Sequence, residues 1–374
     1  MSSSESSPES TAPTPAESYA SMRETQLLRA LVNNPEDLSL SLAMGEFLVG
    51  QARNQDAAAV YRDILDRDPD HVAALCKLGA VLHSYPAFQD EAVVLLRRAI
   101  ALDASAIDAY RPLASNLDTL GRRDEATDVL RQWREAAPTD PLAEHFLAAY
   151  TDGSPPDRAA DAFVKATFDA TASKFDHLLR DVLQYRAPEV LSGHLTPLLA
   201  SKANGALNIL DLGCGTGLCG PLLRPWAHRL TGVDLSAAML AKAEAAGGYD
   251  ALEASELTAF LDQSNQSGAT FDLLFATDTL IYFGRLDTLL TQAFAALNPG
   301  GWLAFTVERM ADESAAAPRD WMLDITGRYK HGAQYVHQVL AQAGFVSVNI
   351  AEAQIRVESN VPVIALVVAA MKPQ

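Results

Sequence analysis

The stretch Asp211-Leu-Gly-Cys-Gly-Thr-Gly217 decides the fold. It closes the apolar run LNILDL (207–212) and precedes a helical pattern. Its glycines let the backbone turn tightly and let a ligand approach with no Cβ in the way. A dinucleotide loop reads G-x-G-x-x-G. Here the third glycine comes one position early, and Leu218 stands where that pattern needs glycine. The loop also opens on an acid. Asp211 would repel a pyrophosphate and attract the ammonium of an amino-acid moiety.

The next apolar run, RLTGVDL (229–235), ends at Asp234, 23 residues after Asp211. A carboxylate at a strand tip can accept hydrogen bonds from both hydroxyls of a ribose. Leu235 and Met239 are placed to cover an adenine face. Taken alone, Asp234 reads as a helix N-terminal acid and Met239 as core; after DLGCGTG they read as ligand contacts. Further runs follow at TFDLLFAT (270–277), GWLAFTVE (301–308), FVSVNIAE (345–352) and VPVIALVVAA (361–370). Helical patterns lie between most of them, which predicts a doubly wound α/β sheet from about Ala159 onward. A short polar connection joins the last two runs, so they are expected to form an antiparallel hairpin.

DLGCGTG followed by VDLS resembles the class I S-adenosylmethionine-dependent methyltransferases, over about residues 160–374. The resemblance implies a seven-stranded sheet and S-adenosylmethionine as cofactor. It implies that Asp211, Gly213 and Gly215 line the methionine moiety and that Asp234 holds the ribose. The third-strand acid that meets the adenine amine falls in EASEL, as Glu256 or Ser255. Thr277 and Asp278 end the fourth strand, where cofactor and acceptor meet. FDATASKFDHLL with YRAPEVL, and later GRYKHGAQYV, resemble methyltransferases fused to tetratricopeptide repeats. By that likeness Phe175, and less surely Tyr185, cover the sulfonium end; a plain core aromatic is the other reading of Phe175.

The fourth strand ends ATDTLIYF and lacks an N/D-P-P-Y/F signature, which argues against adenine-N6 and glutamine-N5 transfer. Asp278 and Asp287 lack the acidic cluster of metal-dependent catechol methylation, so no metal is expected. The sulfonium methyl is already activated, so the main task is to hold a nucleophile in line in a dry pocket. A base helps only where the nucleophile loses a proton. GRYKHGAQY (327–335) reads as a polar loop after the fifth strand. Its His331 titrates near neutrality and is the candidate base, against the reading of a surface histidine. Tyr329 and Tyr335 are further candidates, and Arg328 could bind an acceptor carboxylate. Cys214 and Cys219 read as small packing residues.

Ahead of this domain the chain repeats. Gly45, Gly79, Ala114 and Ala148 follow at gaps of 34, 35 and 34 residues, and Tyr61, Leu96 and Leu130 at 35 and 34. One inserted residue between Gly79 and Ala92 accounts for every 35. A period near 34 with small residues facing a large one describes helical hairpins whose helices approach closely. VAALCKLGAVLHSYPAFQDEAVVLLRRAIALDA resembles the tetratricopeptide repeat, over about residues 34–150, with PLAEHFLAAY as a terminal cap. Such a stack presents a concave face that takes a peptide or protein partner.

The expected organisation is therefore an unstructured tail over residues 1–20, a repeat domain over 21–150 and a methyltransferase domain over 157–374. The tail is Ser-, Thr-, Pro- and Glu-rich and carries no Lys or Arg. A net charge of −18 with no basic stripe argues against nucleic acid and anionic membrane. Three sparse cysteines and no apolar leader point to a soluble cytoplasmic protein. Function reads as methyl transfer to a small molecule or a recruited protein. The alternative is a scaffold that binds the cofactor without turnover.

Overall fold

The computed structural model describes residues 15–151, 155–172, 175–200, 202, 204–311, 320–358 and 361–374. The chain divides into two compact units, one ending at Val129 and one starting at Leu130. No helix among the described residues is long and apolar enough to cross a membrane.

The first unit is helical: α1 (Pro15–Asn33), α2 (Leu38–Gly50), α3 (Asn54–Arg67), α4 (Val72–Leu82), α5 (Gln89–Leu102), α6 (Tyr110–Thr119) and the opening of α7 (Arg123–Ala136). Residues 1–14 of the expected tail lie outside the described residues. Pro15–Ala20 are helical instead, because proline at the first helical position is already set to a helical φ and good helix formers follow it. A Cβ on Gly45 would stand 2.2 Å from the Tyr61 ring, and one on Gly79 2.5 Å from Leu96. The small residues thus let α2 approach α3 and α4 approach α5, as the 34-residue spacing predicts. Ala57 and Ala92, at matching positions of the partner helices, are fully buried. The inserted residue falls in the connection before α5, where Pro86–Phe88 form a separate turn.

The second unit also contains α8 (Pro141–Tyr150), whose Phe146 stacks on Trp133 of α7. His145 on α8 lies 2.8 Å through Nε2 from the Gly327 carbonyl and stacks on Phe163, ring centres 3.7 Å apart. Its small and apolar positions continue the repeat spacing, but its aromatic face is buried here. Next come α9 (Asp161–Thr171), the one-turn α10 (Phe175–His177) and α11 (Ala187–Leu195).

The sheet strands are β1 (Leu207–Leu212), β2 (Ala227–Asp234), β3 (Ala251–Ala254), β4 (Phe271–Ala276), β5 (Leu297–Arg309), β6 (Trp321–Leu323), β7 (Tyr329–His331), β8 (Val346–Glu358) and β9 (Val361–Met371). The path β3-β2-β1-β4-β5 is parallel, β9 lies antiparallel on β5, and β8 pairs with β9 as the expected hairpin. Those are the seven expected strands. The sheet has nine, because β6 and β7 add a short ribbon at the end of β5, where Glu308 pairs with Lys330 and Arg309 with His331. Helices α12 (Gly220–Leu223), α13 (Ala237–Ala246), α14 (Leu257–Ser267), α15 (Asp287–Ala296) and α16 (Ala333–Ala343) complete the unit. The β1 side chains alternate between two cores: Leu210 and Leu212 join the α14–α16 face, and Ile209 the α11–α12 face. Strand order reverses between β1 and β4, which opens a crevice at their carboxyl ends.

Candidate cofactor and acceptor site

The crevice is lined first by the glycine loop after β1. Gly213 (φ 73°) and Gly215 (φ 54°) both sit in the left-handed region. A Cβ on Gly213 would stand 2.3 Å from Thr279, so only glycine fits. Over Gly215 nothing lies within 4 Å, which leaves backbone facing open space. Asp234, at the tip of β2, ties the two motifs together. Its Oδ2 accepts the Gly215 amide at 2.9 Å and its Oδ1 the Ser236 amide at 2.8 Å. Burial pushes its carboxyl above the ordinary range, against the pull of those amides.

Asp211 is completely buried rather than open to the crevice. One oxygen accepts the Tyr249 hydroxyl at 2.6 Å, and Oδ1 has no partner. Burial pushes its carboxyl up to about 7. Leu235 is half-buried and Met239 fully buried on α13. Glu256 caps α14, accepting the Ala259 amide at 2.9 Å, and its Oε1 is buried without a hydrogen bond, 3.9 Å from Arg158 Nη1. Ser255 donates its hydroxyl to the Glu256 carbonyl at 3.1 Å, and its amide reaches the Asp234 carbonyl. Burial pushes the thiols of Cys214 and Cys219 far above their usual range, so both stay protonated packing residues.

Two acids that the sequence reading passed over fasten this half from above. Asp169 on α9 accepts the Ser236 hydroxyl at 2.5 Å, and Asp176 on α10 accepts the Thr216 hydroxyl at 2.5 Å. Each follows a phenylalanine, and Phe168 and Phe175 meet edge to face at 5.7 Å. Phe168 also meets Tyr282 at 5.5 Å. The repeated Phe-Asp pair in FDATASKFD was the available signal: two identical dipeptides seven residues apart put their acids at the loops and pack their rings together.

The other half lies at the tips of β4, β5 and β8. Thr277 is buried, with its hydroxyl 3.3 Å from the Cys219 sulfur. Asp278 follows in left-handed backbone (φ 52°), and its amide donates to the Thr306 hydroxyl at 2.9 Å. Its Oδ2 pairs with Arg356, and its Oδ1 is buried without a partner. Arg356 also pairs with Glu308 and, through Nε at 2.6 Å, with Glu358. Burial disfavours the Arg356 charge, but the carboxylates of Asp278, Glu308 and Glu358 outweigh it and hold the guanidinium firmly ionised. Burial pushes Asp278 upward, partly offset by Arg356. Nothing in the sequence links Glu308, Arg356 and Glu358, and only the fold assembles them.

The expected catalytic trio is placed differently. GRYKHGAQY is no loop: Tyr329 and His331 point inward from β7, because a three-residue strand alternates too briefly to show a period. His331 is completely buried, donates through Nε2 to the Gly284 carbonyl at 3.1 Å and stacks on Tyr335. Burial pushes its imidazole down to about 4, so it is neutral and shielded, unsuited to a base that meets an acceptor. Tyr329 is equally buried and donates to the Pro156 carbonyl at 2.9 Å. Tyr335 accepts the Leu286 amide at 2.9 Å. Arg328 is engaged by Glu308 at 2.5 Å through Nε and by Glu358 at 2.6 Å through Nη2, so it is tied into a buried ion network.

Residues 176–350 match the family model described as a methyltransferase domain. Trans-aconitate 2-methyltransferase of Paracidovorax citrulli is 39% identical over 105 residues, 27% of this chain and 38% of that protein. Methyltransferase-like protein 27 of Homo sapiens is 41% identical over 140 residues, 37% of this chain and 55% of that protein. Malonyl-[acyl-carrier protein] O-methyltransferase of Erwinia billingiae is 28% identical over 137 residues, 37% of this chain and 53% of that protein. The chain spans about half the length of these curated relatives or less. The solved N-methyltransferase NodS of Bradyrhizobium japonicum aligns at 21% identity over 50% of this chain and 87% of its own, with a TM-score of 0.37. The matched residues lie within the second unit, which is thus similar to methyltransferase domains.

Proposed function

We propose that this chain transfers the methyl group of S-adenosylmethionine to an acceptor, either a small molecule or a protein recruited by its N-terminal helices. The observation that carries the reading is the bond from the Gly215 amide to Asp234 at the reversal of strand order. It sets a glycine loop and a ribose-type carboxylate at one crevice. The residues fit the cofactor: Gly215 leaves open the volume a Cβ would fill, and Asp211 Oδ1 is a buried acceptor without a partner. In this reading Asp234 holds the ribose, Gly213 and Gly215 shape the methionine end, and Leu235 and Met239 flank the adenine. Ser255 and Glu256 serve its amine, Thr277 and Asp278 border the reacting end, and Phe175 helps to cover it. The cofactor supplies an already activated methyl; the chain supplies position and excludes water.

The N-terminal helices read as a tetratricopeptide-repeat stack. Support comes from the 34-residue spacing and from the close approaches at Gly45 and Gly79. A partner held there has its local concentration raised, on the order of millimolar for a short flexible link. The relatives are named for trans-aconitate, malonyl-acyl carrier protein and ubiquinone biosynthesis, so their names agree on methyl transfer and differ in acceptor. Three free cysteines, all buried, accord with a reducing cytoplasm. The test is formation of S-adenosylhomocysteine by the full chain with S-adenosylmethionine and an extract of the source cells. Binding of S-adenosylhomocysteine with no turnover in any fraction would replace this reading with a scaffold.

A further inference from the structure

The network at the tips of β4, β5 and β8 holds three carboxylates, Asp278, Glu308 and Glu358, against two guanidiniums, Arg328 and Arg356. It therefore carries one formal negative charge in excess. Arg356 and Glu308 are each 3% exposed, so water screens that charge poorly. Both guanidiniums are held by carboxylates inside the network. The unsatisfied valence lies elsewhere: Asp278 Oδ1 is buried and accepts nothing. Asp278 is also a non-glycine residue held at φ 52°, a strained backbone of the kind that concentrates at functional sites. Tyr185 and Tyr282 lie within the reach of its charge, and Tyr282 packs on Phe168. Excess negative charge, an open acceptor oxygen and aromatic rings together suit a cation that carries N–H donors. A carboxylate in the same place would meet like charge.

We propose that Asp278 is the acceptor-binding carboxylate of this site and that the methyl acceptor is an amine. The proposal rests on the methyl-transfer reading and adds the acceptor's class to it. The amine arrives as an ammonium, and Asp278 Oδ1 accepts its N–H. The proton passes to Asp278, and the freed nitrogen pair forms the N–C bond. The S–C bond breaks with its pair kept by sulfur, so atoms and charge balance. Burial already raises the proton affinity of Asp278, which favours that acceptance.

The experiment uses the full chain, methyl-labelled S-adenosylmethionine and an extract of the source cells. An amine acceptor gives label that survives mild alkali and is identified as N-methyl by mass spectrometry. Label released as methanol by alkali marks a carboxyl ester and overturns the proposal, as does an O-methyl ether. These readouts need no variant. In addition, Asp278→Asn should cut incorporation ~10²-fold while S-adenosylhomocysteine affinity, read by calorimetry, stays within about threefold. A variant that loses cofactor affinity instead assigns Asp278 to the cofactor and defeats the proposal. Failure of the underlying reading looks different: the wild-type chain binds S-adenosylhomocysteine but labels nothing, and the amine proposal falls with it.

Discussion

The two sides of the crevice are built in opposite ways. The cofactor side is made of backbone: glycine turns, amides bonded to one carboxylate at 2.9 and 2.8 Å, and short side-chain hydroxyls. The proposed acceptor side is made of paired charged side chains, three acids against two arginines, with Arg356 at the centre. Backbone recognition tolerates few residue types and little movement, and it suits a ligand that never changes. A web of side chains can be altered one residue at a time, and it suits the part of a site that sets which acceptor is used. The contrast yields measurements that either sharpen it or break it.

The largest effect should come from Arg356. Truncating it to alanine leaves Asp278, Glu308 and Glu358 buried together with one guanidinium among them. Removing one partner of a buried ion network costs about 3–5 kcal/mol. For a unit of this size that lowers the melting temperature by on the order of 10 °C. If the variant melts like the wild type, the web is wetter than its burial implies, and the contrast with the cofactor side weakens.

His331 offers a test in pH. Its imidazole is held near 4 by burial in the folded chain, against an ordinary value of 6.5. Below 6.5 the unfolded chain takes up this proton and the folded chain does not. Stability from this group is therefore complete above pH 6.5 and declines as pH falls toward 4, by about 3 kcal/mol in total. His331→Gln should flatten that slope in thermal melts between pH 7 and 4. Turnover per folded molecule should stay within about threefold at neutral pH, since the residue positions β7 against the Gly284 carbonyl and titrates only in acid. A loss near 10²-fold would restore it to the chemistry.

Asp234→Ala bears on the cofactor side. It removes the acceptor of the Gly215 and Ser236 amides as well as the proposed ribose partner. Affinity for S-adenosylhomocysteine should fall at least about tenfold by calorimetry. The ligand-free chain should also lose about 1–2 kcal/mol, because two amides lose their bonds. Unaltered binding would remove Asp234 from the ribose assignment.

The same contrast explains what could be read from the sequence. DLGCGTG and VDLS are each short contiguous motifs, so the glycine turn after β1 and the place of Asp234 at the tip of β2 were legible. β1 falls on 207–212 as expected, and the other long runs lie within a few residues of their strands. The acceptor side draws on positions 278, 308, 328, 356 and 358, which no local pattern connects. Three-residue strands such as β6 and β7 show no period, so a buried histidine on one of them read as a loop residue. The surroundings of α8 were hidden for a related reason. Repeat spacing reports helix geometry, whereas the contacts of His145 with Gly327 and Phe163 decide which unit the helix joins.

The smallest effect concerns the two acids above the cofactor loops. If Asp176 and Thr216 hold the glycine loop in place, removing either should weaken S-adenosylhomocysteine binding, and removing both should add little more. A double-mutant cycle with Asp176→Ala and Thr216→Ala isolates the term. A charge-assisted hydroxyl bond of 2.5 Å that is partly buried predicts a coupling of about 1 kcal/mol. Asp169→Ala provides a second reading through Ser236, which also caps α13 at the Met239 amide. Loss there should loosen the adenine side through that helix end, and its effect should add to the Asp176 effect, because the two bonds share no atom. Full additivity between Asp176 and Thr216 would mean that the segment carrying Phe175 does not hold the loop at all. The cofactor side would then stand on backbone alone, and the difference between the two sides would be sharper still.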